Sequence, residues 1–247
     1  YFSDTATEHV RLLVQQFKLP TLTCPPDSGE YLFADAEGVS LCRAEEKGRV
    51  RVDFGGGAAQ YRRTKGGGEL IAKAVNHTAK PTVWDCTGGL GRDSFVLASL
   101  GLNVQTFEQH PAVACLLADG LERALQEPEI QDIARRITFR HGDAVELMRE
   151  LAAQSRPDIV YLDPMYPERQ KSAAVKKEMA YFHSVVGAAQ EEAELLAAAR
   201  AVAKKRVVVK RPRLGEFFNG EKPAYQYTGK STRFDVYLPD HPVKDGE

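Results

Sequence analysis

The sequence predicts an α/β fold: a mainly parallel sheet with helices on both faces, preceded by a small α+β region. Three observations predict it. From residue 69 onward, short apolar runs alternate with amphipathic stretches, strand then helix. Four of those runs, "TVWDCTGG", "NVQTFE", "RITFRHGD" and "DIVYLDP", stop at a glycine or an acid. Before residue 65 the rhythm differs: "YLFADAEGVSLCR" and "RVRVDF" alternate in the manner of short strands.

Each element follows in order. Val10, Leu13, Val14 and Phe17 fall at helical spacing behind Thr5 or Thr7 as a cap, and "CPPDSG" breaks the chain after them. Residues 31–54 read as antiparallel strands turning at Gly38 and Gly48. The glycine-rich link "GGGAAQYRRTKGGG" closes this region, so the boundary falls between 1–65 and a main domain of 66–247. "ELIAKAV" is a helix, "TVWDCT" a strand, and Asp93–Leu100 a helix. "NVQTFE" is the second strand of the main sheet. Pro111 then opens a helix at its first position, where a missing N–H costs little. "RITFRHG" is the third strand. Asp143 and Glu146 form an N-cap and capping-box pair ahead of Val145, Leu147, Met148 and Leu151. "DIVYL" is the fourth strand. Helices over 172–186 and 190–203 precede "RVVVK", the fifth, and "RFDVYL" is a late strand.

The 247 residues, 43% hydrophobic and 27% charged, suit one large domain or a domain with an appendage. No apolar run reaches the roughly 20 residues of a membrane span, and no secretory pattern opens the chain. A cytoplasmic location away from membranes is therefore expected. Cysteines at 24, 42, 86 and 115 make no CxxC pair and the histidines do not cluster, so reduced thiols and no metal are expected. A net charge of -1 argues against a protein that coats nucleic acid, but leaves room for a local basic face.

Sheets of this kind bind ligands at the carboxyl ends of their strands. Gly88, Gly89 and Gly91 after the first strand permit a tight turn and a close backbone approach. Glu108 after the second can accept from both hydroxyls of a ribose. Gly142, Asp143 and Ala144 follow the third, and Asp163 follows the fourth. Two nucleoside ligands compete. A nicotinamide dinucleotide would use Gly89 to Ser94 as its loop, yet its pyrophosphate would meet Asp93 at the helix N-terminus. S-adenosylmethionine has no phosphate. Its ammonium suits acids such as Asp85 or Asp163, and a sheet ending in an antiparallel strand suits a methyltransferase. S-adenosylmethionine is the expected cofactor and S-adenosylhomocysteine its product.

"DPMY", residues 163–166, resembles the (Asp/Asn)-Pro-Pro-(Tyr/Phe) motif of enzymes that methylate exocyclic amino groups of bases. Such a nitrogen is a poor nucleophile, because its lone pair is delocalised into the ring. The Asp163 carboxylate and a main-chain carbonyl near Pro164 can accept its two N–H bonds and localise that pair. Pro164 fixes the backbone, and Tyr166 offers a face on which an extruded base can stack.

"DCTGGLGRDSFVLASLG" (85–101), "YLDPMYPERQKSAAVKKEM" (161–179) and "KKRVVVKRP" (204–212) closely resemble the ribosomal RNA small subunit methyltransferase J family. The resemblance spans roughly residues 50 to 240 and is weak over 1–48. It implies a class I S-adenosylmethionine-dependent methyltransferase acting on N2 of a guanine in 16S rRNA, with that RNA or the small subunit as partner. It also implies cofactor contacts from Arg92, Asp93, Glu108, Gln109, Asp143, Ala144 and Asp163. Cys86 and Gly88 stand where the family pattern has alanines.

Three basic clusters are candidates for RNA: Arg62, Arg63 and Lys65; Arg169, Lys171, Lys176 and Lys177; and Lys204, Lys205, Arg206, Lys210, Arg211 and Arg213. The second follows DPMY directly. Of the third, Lys210, Arg211 and Arg213 end a strand at the ligand edge. From the residues alone a DNA or tRNA amino-methyltransferase, a nicotinamide-dependent oxidoreductase and a non-enzymatic RNA-binding module remain alternatives.

Overall fold

The computed structural model describes residues 1–56, 68–164 and 192–241. A seven-stranded sheet runs in the order β6-β5-β4-β7-β8-β10-β9. Its strands are β4 (Val83–Asp85), β5 (Val104–Glu108), β6 (Ile137–His141), β7 (Ile159–Leu162), β8 (Arg206–Pro212), β9 (Tyr225–Thr228) and β10 (Thr232–Tyr237). The pairings among β6, β5, β4, β7 and β8 are parallel, and β10 runs antiparallel to both β8 and β9. This is the mainly parallel sheet with a late antiparallel strand expected from the sequence.

The expected helices lie where their apolar spacing put them. They are α1 (Glu8–Gln16), α2 (Gly68–Ala74), α3 (Arg92–Ser99), α4 (Pro111–Ala124), α6 (Ala144–Ala152) and α7 (Glu192–Val202). Thr7 caps α1 by accepting from Val10 N. Asp143 caps α6 through one oxygen that accepts from Val145 N and Glu146 N. A short α5 (Gln131–Ala134) and strand β9 were not anticipated. "YQYT" in β9 is exposed at three of its four positions, so it lacks the apolar alternation that marks a strand. The helix expected over 172–186 falls outside the described residues.

Two cores sandwich the sheet. One side joins Val83, Val104, Ile159, Tyr161, Val208 and Phe234 to α2 and α3. The other joins Trp84, Phe107, Val160, Leu162, Val207 and Val209 to α6 and α7. Strands buried on both faces read as continuous apolar runs, which is why β7 is "IVYL" and β8 begins "RVVV".

The N-terminal strands β1 (Glu30–Asp35), β2 (Gly38–Arg43) and β3 (Arg49–Val50) form a separate three-stranded antiparallel sheet. Its residues Ala34, Val39 and Leu41, with Val10 and Leu13 of α1 and Phe17 just past it, share one core with apolar residues of α4 from Val113 to Ala124. The small region is thus packed on a helix of the main sheet. Cys42, Cys86 and Cys115 are buried, Cys24 is exposed, and all four are free thiols.

Candidate active site

The glycine loop after β4 lies close against β5. Gly88 N donates to Phe107 O at 2.8 Å, and a Cβ at Gly88 would meet that same oxygen at 2.8 Å. An added methyl here would force the loop away from β5, because the oxygen it meets belongs to the backbone. Gly91 caps α3 in the left-handed conformation, with φ 72°. Glu108 fixes the loop from the end of β5. Its Oε2 accepts from Gly89 N at 2.8 Å and its Oε1 from His110 N at 2.7 Å. Burial pushes this carboxyl up, and the backbone donors pull it back. Each oxygen keeps a second lone pair with which to accept a ribose hydroxyl.

Asp85 ends β4 and is 1% exposed. It accepts from Thr87 N and from the Ser94 hydroxyl, which in turn lies 2.8 Å from Thr106 Oγ1. Its contacts therefore hold the loop to α3 and β5. Burial, opposed by Ser94, raises its carboxyl from 3.8 to about 7. A group whose folded pKa is raised contributes its full stability below the unfolded value and loses that contribution as pH climbs through the folded one. Asparagine imitates the neutral form. The melting temperature of Asp85→Asn relative to wild type is therefore expected to rise between about pH 4 and about pH 7. The linkage is on the order of 4 kcal/mol for the shift from 3.8 to about 7. A difference that stays flat over that range in thermal melts would refute the assignment.

The centre of the site joins three elements. Asp163, just past β7, donates its N–H to Thr87 Oγ1 at 2.6 Å, so the end of that strand is tied to the glycine loop. Lys210 of β8 places Nζ 2.8 Å from Asp163 Oδ2 and 2.6 Å from Asp93 Oδ2. The Tyr161 hydroxyl donates to the same Asp93 oxygen at 2.6 Å. Burial works against the Lys210 charge, but Asp93 and Asp163 outweigh it and hold the ammonium charged well above the usual range. Burial and the neighbouring Asp93 raise Asp163 to about 6, while Lys210 pulls it down.

The structure thus brings Asp85, Gly88, Gly91, Arg92, Asp93, Glu108, Gln109, Asp143, Ala144 and Asp163 to one sheet edge, with Pro164 beside them. This donor set fits S-adenosylmethionine. A rim carrying Asp93, Glu108, Asp143 and Asp163 favours a ligand with an ammonium and a sulfonium, and would repel a pyrophosphate. Tyr161 and Thr87 were not singled out from the sequence.

The third basic cluster is divided by the strand it sits on. Lys204, Lys205 and Arg206 lie at the amino end of β8, the edge opposite the site, roughly 20 Å from Arg213 at strand spacing. Lys210 turns inward onto the two acids. Arg211 is 3% exposed, donates to Glu216 O and Glu192, and lies over the Phe218 ring. Arg213 is exposed at the ligand edge. Arg62, Arg63, Lys65, Tyr166, Arg169, Lys171, Lys176 and Lys177 lie outside the described residues.

Residues 12–239 match the model of a family described as "Putative SAM-dependent methyltransferase". The chain is 70% identical over 237 residues to Ribosomal RNA small subunit methyltransferase J of Neisseria gonorrhoeae, covering 96% of this chain and 95% of the relative. It is 47% identical to the protein of the same name from Chromobacterium violaceum, over 95% of this chain and 92% of the relative. A crystal structure of an S-adenosylmethionine-dependent methyltransferase from N. gonorrhoeae superposes with TM-score 0.85 at 63% identity, covering 100% of this chain and 98% of that one. These matches reach well into the first 48 residues, where the sequence resemblance was weak, and they remove the nicotinamide alternative. Among the described residues no helix is long and apolar enough to cross a membrane. The chain belongs to the S-adenosylmethionine-dependent methyltransferases, in the family of the ribosomal RNA small subunit methyltransferase J proteins.

Proposed function

We propose that this enzyme transfers the methyl group of S-adenosylmethionine to the exocyclic N2 amino group of a guanine in 16S rRNA, as naked RNA or within the small subunit in the cytoplasm. The observation that carries the reading is the placement of Asp163. It follows β7 directly, bonds by its N–H to the glycine loop, and leaves its side chain 38% exposed. The names of the relatives support the RNA.

The bound cofactor supplies an electrophilic methyl carbon on a positively charged sulfur. The chain supplies the rest. Asp163 accepts one amino N–H of the base, and a carbonyl near Pro164 accepts the other, so the nitrogen lone pair is turned away from the ring. The carbon–sulfur bond breaks as the nitrogen–carbon bond forms, and the electron pair stays on sulfur. The proton that nitrogen must lose passes to Asp163 and then to water. Glu108 and the glycine loop position the donor, which is the larger share of the rate advantage in a displacement of this kind. Arg213 offers a cation to the RNA backbone at the same edge.

The test is to supply labelled methyl donor with 16S rRNA, small subunits, tRNA and DNA, and to digest each to nucleosides. Label is expected in N2-methylguanosine from 16S rRNA or small subunits. Label confined to tRNA, to DNA or to an adenine would overturn the assignment.

A further inference from the structure

We propose that Lys210 is a positioning residue for the methyl transfer: its ammonium holds Oδ2 of Asp163 and thereby presents Oδ1 to the target amine in the ionised, accepting form. The inference rests on the function proposed above. Its basis is geometric. β8 is buried on both faces, so a lysine within it must find a carboxylate or lie in an apolar core. Alternation along the strand sends Lys210 to the side of Val208, α2 and α3, where Asp93 and Asp163 converge on it at 2.6 and 2.8 Å.

Lys210 bonds Oδ2 of Asp163 and leaves Oδ1 to other partners, while the N–H of the same residue is fixed on Thr87. Asp163 is therefore held at its backbone and at one carboxylate oxygen. Asp163 is also the most exposed of the three charged groups, at 38% against 28% for Lys210 and 22% for Asp93. A plain structural ion pair would gain nothing from leaving its acid the most open.

Charge balance points the same way. Among the described residues the groups facing Asp163 are Asp93 from α3, Tyr161 from β7, Asp85 from β4 and Lys210 from β8, and Lys210 is the cation in that set. Without it, burial and Asp93 would both favour the protonated acid, which donates where the amine needs an acceptor. With it, the three charges sum to a single negative charge that can offset the positive charge developing on nitrogen.

The closing experiment is a titration of the aspartate carboxyls, carbon-13 labelled, by NMR on the full chain without cofactor or RNA. In Lys210→Met the Asp163 midpoint is expected to rise by about one pH unit or more, whereas Lys210→Arg should hold it near wild type. The acid limb of kcat/KM for methyl transfer should move with that midpoint. If Lys210→Met does not fold, Asp93→Asn keeps the lysine, removes the competing charge and should lower the midpoint. An unmoved midpoint in every variant that folds would overturn the proposal. The titration uses neither substrate, so it stands even where the wild-type enzyme fails to methylate 16S rRNA, the result that would sink the functional reading instead.

Discussion

Asp163→Ala is expected to lower methyl transfer by about a hundred- to a thousandfold, the loss typical of removing one preorganised polar group from a transition state. The fold should survive. Asp163 contributes its backbone N–H to Thr87, which alanine retains, and its side chain is partly open. The motif alone would favour Asp163→Asn as a milder change, since an amide oxygen can still accept from an amine. Lys210 reverses that expectation. Its ammonium requires an acceptor at the position of Oδ2, so the asparagine should turn its oxygen to Lys210 and its NH2 group to the target amine. A donor would then face a donor, and Asp163→Asn should be nearly as damaging as Asp163→Ala. Adding Lys210→Met frees the amide to rotate and should restore activity above that of Asp163→Asn alone. Single-turnover rates on 16S rRNA with saturating methyl donor measure all of this. A folded Asp163→Ala with near-normal turnover would remove the DPMY motif from the mechanism. An Asp163→Asn enzyme close to wild type would remove Lys210 from its setting.

The sequence was most legible where burial and chemistry use different residue types. β4, β5 and β7 carry no charge before the Asp85, Glu108 or Asp163 that ends or directly follows them, so each carboxylate marks the ligand edge unaided. α6 announced its start through Asp143, because a cap needs a short acceptor at one position. Lys210 and Arg211 were harder. In sequence they belong to a run of six cations and read as one basic face. In space, strand alternation sends them to opposite sides of the sheet, Lys210 onto Asp93 and Asp163, Arg211 onto Glu192 and Phe218. The readable signal was their embedding: a lysine continuing "RVVV" in a doubly covered strand is more in need of an acid than of a phosphate. Tyr161 was hidden for the opposite reason. It passes as an ordinary core residue of "IVYL", and only the fold shows its hydroxyl reaching Asp93.

Glu108 is the residue whose loss should most weaken the cofactor. It is 9% exposed, and each of its oxygens already accepts a backbone N–H, from Gly89 on the loop and from His110 at the start of α4. The carboxylate shapes the glycine loop, and each oxygen keeps a second lone pair with which to accept a ribose hydroxyl. Glu108→Ala removes both. Two hydrogen bonds from the ribose to a charged acceptor, at about 1.5 kcal/mol each, amount to about 3 kcal/mol, or about a hundredfold in affinity. Release of Gly89 should add a fall in the melting temperature of the free protein, because a partly buried N–H loses its acceptor. Glu108→Gln should be intermediate, since one oxygen remains while the new NH2 group confronts either Gly89 N or His110 N. Titration calorimetry with S-adenosylhomocysteine, paired with thermal melts of the same samples, separates the two contributions. If the loop alone matters, Glu108→Gln should match wild type in affinity wherever it matches in stability. If the ribose contact matters as well, affinity should fall in Glu108→Gln even where its melting temperature is unchanged. Unaltered affinity in a folded Glu108→Ala would place the ribose elsewhere and leave Glu108 with the loop as its whole function.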